Sequence, residues 1–231
     1  MRKIFIALVF SVLTANANAG IIYFGEDLNW FNSDVSTNAD SAHNDFTNAL
    51  TDIWTEDFEN YNVGSSAPLA VDFGALGVAT MSGSGDLSNN NVGGGPSRRA
   101  HSGSNYWETS SSSFTINFTE AVAAFGFYGI DMGDFTGQIS LTLSGGIVQE
   151  FDVAHSKGRA TNGALLYWGI IDTANTFTSI TFANTGNGSD FFGFDDFTVG
   201  TVSEVPEPSS VMMMLIAMFA LAKTRKRNVN R

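Results

Sequence analysis

Apolar and polar residues alternate in three short segments: Phe114-Thr115-Ile116-Asn117-Phe118, Ile139-Ser140-Leu141-Thr142-Leu143 and Thr178-Ser179-Ile180-Thr181-Phe182. A period of two puts every second side chain on the same face of a strand, so each segment predicts a strand with one buried face. Residues 122–130, 165–171 and 191–199 are richer in Phe and Ile and predict central strands covered on both sides. Turn chemistry separates them, at 134–137, Ser144-Gly145-Gly146, Asn162-Gly163 and 184–189. Strand starts 8 to 14 residues apart predict an all-β, antiparallel β-sandwich.

The first third is less regular. Residues 71–81 supply another strand, 81–105 read as a long mobile loop rich in Gly, Ser and Asn, and 45–54 read as a short helix. Phe46, Leu50 and Ile53 or Trp54 would share one face of that helix. Phe125-Gly126-Phe127 and Phe192-Gly193-Phe194 repeat one unit, and a glycine between aromatics predicts that a ring covers the bare backbone. The sandwich domain is therefore placed at 54–202, behind an irregular or short helical segment at 20–53.

Both ends read as addresses. Arg2 and Lys3 precede the apolar run 4–13, and Ala17 and Ala19 are the small residues that a signal peptidase reads, so 1–19 is a signal peptide cut after Ala19. At the other end, Pro206 and Pro208 bracket Glu207 and hold the chain extended. The uncharged run 209–222 follows. As a helix it spans about 21 Å, short of a hydrocarbon core of about 30 Å. The basic tail 223–231 carries Lys223, Arg225, Lys226 and Arg227 and stays on the cytoplasmic side. The motif at 205–210, the single hydrophobic helix and the basic tail together resemble the PEP-CTERM sorting signal. That resemblance implies an exported precursor anchored in the inner membrane, an exosortase-type membrane protease as partner, and a mature body at the cell surface or outside the cell, associated with exopolysaccharide or biofilm.

With both ends removed, the body keeps four of the 11 basic residues and 22 of the 23 acidic ones, a formal charge of −18 against −12 for the whole chain. Such a body repels nucleic acid and anionic lipid and attracts divalent cations. It has no cysteine, so its stability in an oxidising compartment rests on packing. There is no Gly-x-Ser-x-Gly elbow, and His43, His101 and His155 are far apart in sequence. Arg98-Arg99 is too small a basic patch to hold nucleic acid.

Asp57-Phe58-Glu59, the run 124–131 and Phe192-Gly193-Phe194-Asp195-Asp196-Phe197 also resemble a recurring body of PEP-CTERM proteins. The likeness is to jelly-roll, galactose-binding-like sandwiches. It implies a structural calcium shared by Glu59 with Asp195 or Asp196; strand alternation alone leaves either aspartate free to cap a turn or face water. Asp131 reads as an Asx-type turn residue or as a loop ligand. Trp107 and Trp168, each beside a tyrosine, are candidates for stacking on sugar rings. The leading function is a non-enzymatic surface or matrix protein. A carbohydrate-binding module is the alternative, and a polysaccharide hydrolase has least support.

Overall fold

The computed structural model describes residues 20–90, 98–110, 113–132, 139–145, 148–153, 156, 162–184 and 191–202. The signal peptide and the sorting tail lie outside these residues, as does His155. The elements are β1 (Ile21–Asp27), α1 (Trp30–Ser33), α2 (Thr37–Asn48), β2 (Thr51–Glu56), β3 (Leu69–Asp72), a 3-10 turn (Gly74–Leu76), β4 (Val78–Gly83), β5 (Asp86–Asn89), β6 (Asn105–Thr109), β7 (Phe114–Val122), β8 (Ala124–Ile130), β9 (Ile139–Gly145), β10 (Gln149–Asp152), β11 (Leu165–Ile171), β12 (Phe177–Asn184) and β13 (Phe192–Thr201). One sheet runs β1-β11-β8-β13-β6-β5, with β2 also on β13; the other runs β10-β9-β12-β7-β4-β3. Every named strand pair is antiparallel.

The core between the sheets is aromatic. Phe182 of the second sheet stacks on Phe114, with ring centroids 4.4 Å apart. It meets Phe194 at 4.9 Å and Phe127 at 5.2 Å from the first sheet. Such edge and face contacts add to the area that the rings remove from water.

Two features correct the sequence reading. The sandwich begins at Ile21, because β1 pairs along its length with β11. The helix lies at 37–48, and Ile53 and Trp54 belong to β2, where both are exposed. The helix forms a third layer on the outer face of the first sheet and buries only Ala39, Ala42 and Phe46. Its N-cap, Ser36, makes no side-chain cap bond. Asp27, at the end of β1, does that work instead: Oδ2 accepts the N–H groups of Asn38 and Ala39 at 3.0 and 2.9 Å.

Phe46 is fully buried because the sheet offers it bare backbone. Gly126 of β8 and Gly169 of β11 are register partners. A Cβ at Gly169 would stand 2.8 Å from Phe46 Cδ2, and one at Gly126 would stand 3.1 Å from Cε1. The ring cover expected over the Phe-Gly-Phe units is present in both: Tyr167 and Phe46 lie over Gly126, and Tyr106 lies over Gly193. The two units lie on neighbouring strands but out of register, since Phe194 of β13 pairs with Gly129 of β8 and Gly126 pairs with Thr198.

Candidate functional site

Strict alternation along β13 would bury one of Asp195 and Asp196 among the phenylalanines. The strand avoids this with a register irregularity between Asp195 and Thr198, where Asp196 takes a left-handed φ of 51°. Phe194 and Phe197 thereby both stay in the inter-sheet core. Both aspartates instead meet the chain segment that crosses the outside of the sheet before β6, and re-aiming side chains is a known use of such bulges.

That segment, 98–105, is fastened by acids on almost every residue. Asp195 Oδ2 accepts the backbone N–H groups of His101 and Ser102 at 2.8 and 3.0 Å, and Oδ1 accepts Asp196 N–H at 2.8 Å. Glu59 Oε1 accepts those of Ser104 and Asn105 at 2.7 and 2.6 Å. Arg98 donates from Nε to Glu108 at 2.8 Å and lies 3.5 Å from Asp131. Asp131 also accepts Gly163 N–H, a bond between distant parts of the chain and not the Asx turn expected. Arg99 pairs with Asp34 and lies over the Trp30 ring at 4.4 Å. The expected mobile loop is thus, over 98–105, a clamped strap.

His101 is the centre of the clamp. Nδ1 lies 2.9 Å from Asp196 Oδ2, and Nε2 lies 3.2 Å from Asp40 Oδ1 on α2. The imidazole stacks on Tyr128 with centroids 3.6 Å apart. Tyr128 donates its hydroxyl to Asp40 at 2.9 Å, and Ser102 donates its own to Asp196 at 2.7 Å. Burial alone would raise the Asp40 carboxyl, but the hydroxyls of Ser36 and Tyr128, with His101, hold it below the ordinary range. Burial, with the Asp196 charge, pushes Asp195 well up. Burial pushes Tyr128 up too, with Asp40 adding to it. Burial holds His43, packed against Tyr128 and Tyr167, below its usual range.

The sign for His43 follows from linkage: a histidine kept neutral by the fold contributes stability that is complete above its unfolded pKa of about 6.5 and declines as pH falls below it. The urea midpoint should therefore drop between pH 7.5 and 5.5, and drop less in a His43→Gln chain. Comparing the two chains cancels Asp195, whose raised pKa acts in the opposite direction in both. Equal drops would show that His43 is not the source.

The carboxylates expected around calcium do converge, Glu59 and Asp195 on one segment with Asp196 beside them. Yet both oxygens of Asp195 and of Asp196, and Oε1 of Glu59, face N–H or O–H donors. Donors so placed do not fit a cation. Among the described residues, no group of three or more His, Asp or Glu is arranged to hold one. Trp107 and Trp168 are 0% and 1% exposed and belong to the inter-sheet core, so neither offers a face to a sugar. The exposed indole is that of Trp54, at 47%, which periodicity had assigned to a helix.

The outer face of the second sheet is of another kind. Ser144, Ser179, Asn117 and Thr80 are successive register partners across β9, β12, β7 and β4, and so are Thr142, Thr181, Thr115 and Ser82. Their strand neighbours Leu143, Ile180, Ile116 and Met81 point into the core. Across these four strands the two rows carry eight neutral polar side chains; on the edge strand β10 the second row ends in the exposed Glu150, register partner of Thr142. Thr115 and Thr181 share a hydroxyl bond of 2.9 Å, Ser144 bonds Ser179, and Asn117 Nδ2 reaches Ser82 at 3.4 Å. Strand geometry spaces such groups about 4.8 Å across the sheet and about 7 Å along it.

No family model matches the chain, and no curated protein matches it. Several solved structures overlap it loosely. The K2 cleaved adhesin domain of Lys-gingipain aligns at 16% identity with a TM-score of 0.41, over 64% of this chain and 99% of that domain. TmCBM61, solved with β-1,4-galactotriose, aligns at 16% identity and 0.33, over 63% and 99%. A family 11 carbohydrate-binding module from Clostridium thermocellum, solved with a β-1,3-1,4-mixed-linked tetrasaccharide, aligns at 13% and 0.32, over 66% and 98%. Overlaps this loose transfer neither residues nor ligands.

Proposed function

We propose that the chain is an exported, non-enzymatic surface protein whose body binds neutral polysaccharide. The observation that carries this reading is the charge-free hydroxyl face of β9, β12, β7 and β4. On a body with a formal charge of −18, two uncharged rows across four strands form a surface suited to a neutral polyhydroxyl chain, which exchanges bound water for fixed hydroxyl and amide partners. Anionic polymers, nucleic acid among them, are disfavoured by the surrounding field. The histidine and carboxylates nearest to a catalytic arrangement are used in holding the strap, which supports binding over hydrolysis.

Export through signal peptidase after Ala19, sorting at Pro206-Glu207-Pro208 by an exosortase-type protease, and the galactose-binding-like jelly-roll likeness belong to the same proposal and rest on the sequence resemblance. Surface delivery brings the face to exopolysaccharide. The test is retardation of the chain in gels cast with soluble neutral polysaccharide from the producing cell. We expect retention that persists in 0.5 M salt, because no ion pair is involved, and that is lost in Thr181→Glu with an unchanged melting temperature. Absence of retention overturns the reading.

A further inference from the structure

We infer that Trp54, backed by Gly74, is a stacking platform for a pyranose ring at one edge of the sandwich; this rests on the neutral-polysaccharide reading above. Trp54 lies on β2, in register with Val199 of β13. Its six-membered ring rests against the 3-10 turn between β3 and β4: a Cβ at Gly74 would stand 2.6 Å from Cε3, 2.6 Å from Cζ3 and 2.9 Å from Cδ2. Only glycine leaves that room, and Gly74 also takes a φ of 59°, a left-handed conformation that further disfavours other residues. The indole is therefore supported on one side by backbone and remains 47% exposed.

The support is rigid. Gly74 N–H is held by Asp72 Oδ1 at 2.8 Å. Phe73 N–H donates to Gly77 O at 2.8 Å, and Leu76 N–H donates to Phe73 O at 3.0 Å. On the strand side, Thr55 and Thr198 share a hydroxyl bond of 2.9 Å. A large, pre-positioned aromatic face loses little conformational freedom when covered.

The occupant follows from the surroundings. The turn that carries Gly74 joins β3 to β4, and β4 supplies Thr80 and Ser82 to the hydroxyl rows, so the platform stands at the margin of the neutral face. The exposed carboxylate of Asp72 lies two residues from Gly74 and is an acceptor for sugar hydroxyls. An aromatic face for the C–H side of a ring beside a carboxylate for its hydroxyl rim matches an uncharged pyranose. Acidic sugars and lipid headgroups meet repulsion there from Asp72 and from the body as a whole.

The experiment compares wild type, Trp54→Ala and Trp54→Phe, as the full exported body, against the same soluble neutral polysaccharide and a soluble β-glucan. Affinity is read by gel retardation and by tryptophan emission. We expect Trp54→Ala to bind about tenfold more weakly, about 1.4 kcal/mol, with its melting temperature unchanged, and Trp54→Phe to fall between. Glycan-induced change in emission should vanish in Trp54→Ala. If wild type and Trp54→Ala bind equally, the platform is wrong and the polysaccharide reading stands. If wild type does not bind, both fall. Sedimentation showing a dimer that Trp54→Ala abolishes would assign the indole to self-association and overturn the inference.

Discussion

Replacing Phe182 with alanine is expected to destabilise the body by about 3–5 kcal/mol, the range for emptying a buried aromatic site. Phe182 is 2% exposed and lies among rings from both sheets. Besides Phe114, Phe127 and Phe194, its centroid lies within 6.4 Å of Phe125 and 6.2 Å of Phe197. The surrounding rings are themselves fixed by one another, so the space cannot readily collapse, and the cost belongs at the upper part of that range. Set against a total stability of about 5–15 kcal/mol for a domain, the loss is large. With an m-value of about 2 kcal/mol/M it lowers the urea midpoint by about 2 M. A shift corresponding to less than about 1 kcal/mol would place the centre of the core elsewhere.

Phe46→Ala is the second large effect, also about 3–5 kcal/mol, but of a different character. Phe46 carries the docking of α2 onto Gly126 and Gly169, and α2 packs mainly on β1 and β11. Its loss should raise amide exchange first along α2 and β1, while the inter-sheet core keeps its protection until global unfolding. A double-mutant cycle makes the geometry testable. Gly169→Ala in the wild-type chain drives a methyl into the Phe46 ring and should cost about 1–3 kcal/mol. In the Phe46→Ala background only the more distant Tyr167 Cε1, 3.1 Å from that Cβ, remains, and the same change should cost less, giving a coupling of about 1 kcal/mol or more. Additive losses would mean that the ring does not seat on the glycines.

The docking also explains which parts of the fold were legible. The strands at 114–118, 139–143 and 178–182 show their period because the second sheet has one face in the core and one in water. Residues 122–130, 165–171 and 191–199 read as dense apolar runs because the outside of the first sheet is covered too, by the helix over β11 and part of β8 and by the strap over β13 and Tyr128. β1 shows no alternation in Ile21-Ile22-Tyr23-Phe24-Gly25: Phe24 meets the inter-sheet core and Tyr23 meets Phe46 of the helix, while Ile21 and Ile22 at the strand's start are apolar but exposed. The helix lies N-terminal to the predicted 45–54 because its buried stripe is Ala39, Ala42 and Phe46. Small residues suffice where the partner surface is glycine, and a search for large apolar positions moved the helix on to Leu50 and Trp54. Asp195 and Asp196 stood out as carboxylates needing a partner, and they have one in the strap. The bulge that turns both of them outward depends on a left-handed Asp196, which no alternation rule anticipates. His101 carried one usable signal: 98–101 holds two of the four basic residues of an acidic body, so nearby acids converge there.

The position of β13 bears on how the body comes into being. Among the described residues it is the last strand in sequence, yet it sits inside the first sheet, bonded to β8, β6 and β2. It also supplies Phe192, Phe194, Phe197 and Val199 to the core. Until residues 192–201 have been synthesised, β2 and β6 have no partner at this seam and the strap has no Asp195 to hold it. The body therefore stays open until nearly all of it has been synthesised. Closure then depends on contacts between distant parts of the chain, the kind that form slowly.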